Sequence, residues 1–133
     1  MRYLCLLALV LTAGCGETGL CVNTEIRRLA SPDGRLEAVL FERNCGATTG
    51  FSSQVSILAA GAALDPVGGN ALVIDADHGA APTEAWGGPE VEMRWIGPRT
   101  LRLRHHPAAR VFHEGDRIAG VAIVRDASPH LNR

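Results

Sequence analysis

The chain has 133 residues, a formal charge of −1, 47% hydrophobic residues and only 5% aromatics. That length fits one domain, whose core must rest on Val, Leu, Ile and Ala. The near-neutral charge argues against nucleic acid as a partner, because a phosphate backbone rewards a strongly basic face.

At the N-terminus Arg2 precedes an unbroken apolar run over residues 4–11. The run is too short to span a bilayer and has the length of a signal-peptide core. Leu11-Thr12-Ala13-Gly14-Cys15 follows and resembles a bacterial lipobox. Its small residues admit a lipoprotein signal peptidase, and Cys15 offers a thiolate for diacylglycerol attachment. Thr12 stands where Leu is commoner.

The organisation expected is a lipoprotein signal peptide over residues 1–14 and a lipidated Cys15 with a short tether over 15–20. A single β domain over 21–127 and a frayed tail over 128–133 complete it. Such a protein sits in the cell envelope, held to a membrane by its N-terminal lipid. Gly16, where an Asp would act as a retention signal, implies the periplasmic face of the outer membrane in a Gram-negative host.

Four cysteines are present, at positions 5, 15, 21 and 45. Cleavage removes Cys5 and lipidation consumes Cys15. The remaining pair, Cys21 and Cys45, is expected to form a disulfide in an oxidising compartment.

Residues 24–30 are short and partly alternating. Ser31-Pro32-Asp33-Gly34 then reads as a tight turn, with Pro32 presetting φ and Gly34 accepting a positive φ. Residues 35–43 are apolar on both strand faces: Leu36, Ala38 and Leu40 on one, Val39 and Phe41 on the other. That pattern predicts a central strand covered on both sides, paired with 24–30 as a hairpin. A glycine-rich loop, Asn44-Cys45-Gly46-Ala47-Thr48-Thr49-Gly50, leads to a strand over 54–59. There Val55, Ile57 and Ala59 point inward, and Gln54 and Ser56 outward.

The SPDG turn, Phe41-Glu42-Arg43-Asn44-Cys45-Gly46-Ala47-Thr48-Thr49 and Gln54-Val55-Ser56-Ile57 together resemble a family of small bacterial envelope proteins of unknown function. The resemblance extends more weakly to residues 95–101. It implies an envelope location and carries no activity or catalytic residue over to this chain.

Residues 61–70, with three Gly and one Pro, read as a turn region. A strand over 71–77 follows, with Leu72, Ile74 and Ala76 on one face. Residues 78–90 are long enough to be a functional loop. Within it, Trp86 reads as a lid over the core edge, or else as a ligand-stacking platform. Residues 91–96 and 100–106 alternate cleanly around Gly97-Pro98 and predict a second hairpin. A third is predicted between 110–113 and 118–125. Seven to eight short strands without a convincing helix indicate an all-β domain, a small antiparallel sandwich or a partly open barrel.

The chemistry-bearing residues form no recognisable constellation. His105 and His106 point to opposite strand faces, and His105 with His113 lacks a third metal ligand. Asp75, Asp77 and His78 read as solvated strand-end groups, and Arg94, Arg102 and Arg104 with Glu92 as a mixed-charge face. Ser52, Ser53, Thr48 and Thr49 lack a G-x-S-x-G elbow, and phosphate and dinucleotide fingerprints are missing.

The expectation is a binding module without catalysis, cofactor or metal, whose partner is an envelope protein or a glycan. Its contact surface is placed on Gly46, Thr48, Thr49, Phe51 and Trp86, where the loops over 45–53 and 78–90 are taken as neighbours. The alternative is an envelope enzyme or metal-binding protein that uses the loop hydroxyls or histidines.

Overall fold

The computed structural model describes residues 21–46 and 50–129. Cys15, the segment read as signal peptide and tether, Thr48, Thr49 and residues 130–133 lie outside the described residues. The described chain is all-β: β1 (Val22–Ala30), β2 (Leu36–Asn44), β3 (Ser52–Ala59), β4 (Leu72–Asp75), β5 (Val91–Gly97), β6 (Thr100–His105), β7 (Arg110–Glu114), β8 (Arg117–Ile118) and β9 (Val121–Ala127). A five-stranded sheet, ordered β1-β2-β3-β4-β7, faces a four-stranded sheet, ordered β5-β6-β9-β8. The fold is therefore a sandwich and not a closed barrel.

The SPDG segment makes the turn its sequence demands. Gly34 donates to the Ser31 carbonyl at 2.9 Å, and its φ of 71° is one that L side chains rarely adopt. The Ser31 hydroxyl donates to Asp33 at 2.7 Å and accepts from the Leu36 N–H at 3.1 Å. At the far end of the same hairpin Val22 opposes Asn44. The next residues out, Cys21 and Cys45, are disulfide-bonded with Cα atoms 4.0 Å apart. The β1–β2 hairpin is thus closed at both ends.

Leu40, Ala38, Val55, Ile57, Leu72 and Ile74 of the first sheet form the core with Val91, Met93, Leu101, Leu103, Val121 and Ile123 of the second. His105 continues the inward face of β6 and is buried. Trp95 and Arg27 join the β1 and β5 edges: the indole N–H donates to the Leu29 carbonyl at 3.2 Å. Arg27 pairs with Glu90 and reaches the Val91 carbonyl at 3.0 Å.

β2 is buried on its other face too, since Val39 and Phe41 are 0% exposed although they point away from the second sheet. The segment over 61–70 provides the cover. It crosses the outer face as a strap held by polar side chains of three strands. Asn23 donates to the Asp65 and Val67 carbonyls at 2.8 Å each, and Arg28 to the Ala62 carbonyl at 3.1 Å. Glu37 accepts from the Gly61 N–H at 2.7 Å, and Gln54 from the Gly69 N–H at 2.7 Å. Gly69 passes so close to the sheet that a Cβ would lie 2.8 Å from the Val55 and Leu72 carbonyl oxygens. A sequence reading of this segment as a plain turn region missed that role.

Two further expectations are corrected. Residues 110–113 and 118–125 do not pair as a hairpin. β7 joins β4 in the first sheet, while β9 lies parallel to β6 in the second. The chain changes sheet at Gly115 and Asp116, where Gly115 donates to the Ala71 carbonyl at 3.0 Å. The predicted strand over 118–125 divides into β8 and β9 at a two-residue turn, Ala119-Gly120, with φ of 49° and 77°. Positive φ at both positions suits a tight hairpin turn.

Asn70 ends the strap as a substitute strand residue. Its side chain accepts from the Ile57 N–H at 2.8 Å and donates to the Ile57 carbonyl at 3.0 Å. Asn70→Ala would leave both backbone groups of a buried residue without partners, at roughly 1–3 kcal/mol for each group left unsatisfied. Urea unfolding should show a loss of about 2 kcal/mol or more. A loss below about 0.5 kcal/mol would mean that the strap does not depend on this side chain.

Candidate ligand-binding cleft

Strand register brings one polar row across the first sheet at its disulfide end. Asn23 opposes Arg43, Arg43 opposes Ser52, Ser52 opposes Asp75, and Asp75 opposes Arg110. All five share the outer face, because cross-strand partners project to the same side of a sheet. The strap is bonded to Asn23 at one end of the row, and the other four, Arg43, Ser52, Asp75 and Arg110, line an open cleft of about 430 Å³. Arg43, Cys45, Ser52, Val73, Arg110 and Phe112 are among its walls. A second cavity of about 300 Å³ adjoins it, sharing Gly50, Asp75, His78 and Arg110 and adding Phe51, Thr83 and Gly87.

The two arginines of the row differ in electrostatic state. Arg110 holds Asp75 with two hydrogen bonds, Nε–Oδ1 at 3.2 Å and Nη2–Oδ2 at 2.5 Å. It also lies over the Phe112 ring, 4.8 Å from its centroid, and is 3.7 Å from Asp77. Burial works against ionisation of Asp75, but the hydrogen bonds from Arg110 and the Asp77 N–H outweigh it, and its carboxyl sits below the usual range. Arg43 donates through Nη1 to the neutral Asn23 side chain at 2.8 Å. Among the described residues no carboxylate lies within ion-pair distance of Arg43.

The contact residues expected from the sequence separate into three groups. Phe51 lines the second cavity, exposed at 42%. Gly46 lines neither cavity; it follows Cys45 of the cleft wall, with φ of 117°, and donates to the Asn44 side chain at 3.0 Å. Trp86 lines neither cavity. It is half-buried against the core, its N–H 3.4 Å from the Ser53 hydroxyl, and so serves as the lid over the core edge. Thr48 and Thr49 lie outside the described residues.

The two loops do meet, through Phe51 packed on Gly87 and Ser53 bound to the Pro89 carbonyl at 2.6 Å. Arg43, Val73, Arg110 and Phe112 were not singled out as contact residues. Only the cross-strand register, which periodicity leaves open, assembles them.

Ser52 and Ser53 are both hydrogen-bonded within the fold. Ser52 donates to the Arg43 carbonyl at 3.4 Å and accepts from Gln54 at 2.8 Å. His105 lies in the interior of the second sheet, with its ring 2.9 Å from the His106 carbonyl. His113 bonds the Asn70 carbonyl from the first sheet. Among the described residues no group of three or more His, Cys, Asp or Glu is placed to hold a metal ion. On the opposite sheet Glu92 pairs with both Arg102 and Arg104, which makes that face one of mixed charge.

No protein-family model, no curated protein and no solved structure matches the chain. The cleft's own chemistry is therefore the guide to its use.

A Cβ at Gly87 would lie 2.4 Å from the Phe51 ring, and φ there is 95°. Gly87→Ala should therefore separate the two loops, seen as faster proteolysis near Phe51 with the core strands still protected in hydrogen exchange. Unchanged cleavage would mean that the loops do not depend on this contact.

The lowered Asp75 pKa also sets a pH dependence. Its stabilisation is fully present above the unfolded value of about 3.9 and is lost as pH falls through the lower folded value. Glu25, Asp33 and Glu37, all lowered as well, act in the same direction. The acid limb of the stability curve should be shallower in Asp75→Asn than in wild type, and equal slopes would contradict this assignment.

Proposed function

We propose that the protein is a lipid-anchored binding module of the bacterial envelope, without catalysis of its own, and that the cleft is its contact surface. The observation that carries the reading is the place of the cleft beside the Cys21–Cys45 bridge, since Cys45 is itself part of the cleft wall. A paired cysteine suits an oxidising compartment. The lipobox at residues 11–15 and the resemblance to small envelope proteins support the same address.

Six Cα steps separate Cys15 from Cys21, on the order of 20 Å even when extended. The anchor therefore holds the cleft end of the sandwich near the bilayer. Partners are envelope molecules, a protein or a glycan, presented at or close to that surface. The occupied serine hydroxyls favour binding over hydrolysis.

Intact mass of the protein extracted from its host's membranes tests the anchor and compartment together. The expected mass matches cleavage before Cys15 plus acyl chains, with a shift of two protons on reduction. An unprocessed mass with free thiols at Cys21 and Cys45 would overturn the reading.

A further inference from the structure

We infer that the cleft binds an anionic amphiphile: a phosphate or carboxylate seated on Arg43, carried on an apolar body that lies against Phe112, Val73 and Phe51. This rests on the cleft being the contact surface and adds the class of its ligand.

The first argument is electrostatic. The row across the sheet contains two guanidiniums and one carboxylate. Arg110 and Asp75 satisfy each other through two hydrogen bonds, which leaves Arg43 as the charge of the row without an ion pair among the described residues. Asn23 takes one of its N–H donors at 2.8 Å and orients the guanidinium without neutralising it. A planar guanidinium with donors to spare matches the two oxygens of a carboxylate or phosphate. A neutral or cationic ligand would leave that match unused.

The second argument is apolar exposure. Phe112 is 58% exposed and Phe51 42%, and they line the main and the adjoining cavity respectively. Val73 lines the main cavity with Phe112 and lies on the outer face two residues along β4 from Asp75. An exposed phenyl ring is common enough alone, but one in each of two adjoining cavities, beside a guanidinium without an ion pair among the described residues, forms a site of mixed character. Pockets that hold small molecules combine apolar walls with a few placed polar groups, at volumes like this one.

The third argument is shape. Ser52 is the small residue of the row and lies between Arg43 and Asp75. Adjacent strands are about 4.8 Å apart, so Arg43 and Asp75 stand on the order of 10 Å from each other across it. That gap admits one compact headgroup.

Two sources share this chemistry, a phospholipid headgroup in the bilayer and a free amphiphile in the envelope. Full-length protein from its host, reconstituted in phosphatidylcholine nanodiscs, would be titrated calorimetrically with phenyl phosphate and with benzoate. Wild type should bind at least one of them. Arg43→Gln should weaken binding at least tenfold and Phe112→Ser several-fold. Arg94→Gln, on the outer face of the other sheet, should leave it unchanged. Each variant's urea midpoint checks that the fold is retained.

Replacing part of the phosphatidylcholine with phosphatidylglycerol separates the sources. Weaker apparent binding of phenyl phosphate assigns the cleft to a membrane headgroup, and unchanged binding assigns it to a free amphiphile. If wild type binds neither probe, or Arg43→Gln binds as wild type does, the inference falls. If Phe112→Ser alone weakens binding, the inference falls while the cleft remains the contact surface. The anchor is judged separately, by mass.

Discussion

β2 is dry on both faces, and most of the architecture follows from that. A strand with Ala38 and Leu40 on one side and Val39 and Phe41 on the other cannot lie on the surface of a one-layer sheet. The second sheet covers the first face. No third layer exists among the described residues to cover the other, so the chain uses the strap between β3 and β4. An irregular strap brings its own unpaired backbone groups over an apolar surface, where each must be satisfied. Asn23, Arg28, Glu37 and Gln54 do this from β1, β2 and β3. The polar residues on the outer face are thus as structural as the apolar ones.

The same constraint decides where a site can be. With the sandwich interior filled and the middle of the outer face strapped, the open part of the first sheet is its disulfide end. There the cross-strand row from Arg43 to Arg110 is left open. The bulge in β1 shapes the ground beside it. Glu25 opposes Phe41 and Arg27 opposes Leu40, so Ile26 is the extra residue. It packs against the core and shifts the alternation, which puts Glu25 and Arg28 on one face at a spacing of three. Arg28 then pairs with Glu25 at 2.8 Å and Glu37 at 3.0 Å. These acids are committed to Arg28, and Arg43 is left with a neutral partner.

Elements with local causes were readable from the sequence. The SPDG turn, the double-faced β2, the alternation of β3 and the β5–β6 hairpin all follow from contacts within a few residues. The cysteine pair was readable by elimination. The parallel pairing of β6 with β9 was not, because β7 and β9 carry similar short apolar patterns. Which sheet each joins shows only in the long-range pairing of β7 with β4 and of β9 with β6, not in propensity. The strap was missed for a different reason. Its glycines and proline describe a turn well enough, and the signal that a cover was needed lay in Val39 and Phe41, far from it in sequence. The cleft shares this difficulty, since its row takes one residue from each of five strands. Phe51, which lines the adjoining cavity, drew notice because it follows one conspicuous loop. Arg43 and Arg110 became neighbours of the site only once the register was known.

The doubly closed β1–β2 hairpin also has a mechanical meaning. Any force entering the domain through its N-terminal chain meets Cys21 first and divides there between two strands. β1 is an edge strand, and without the bridge it would be peeled from β2 one hydrogen-bonded pair at a time, starting at Val22. With Cys21 bonded to Cys45, that unzipping cannot begin, because the first pair to open is covalent. The load passes on to β2 and to the residues after Cys45, so the point at which the domain would yield under tension moves from its outermost strand into its best-packed one.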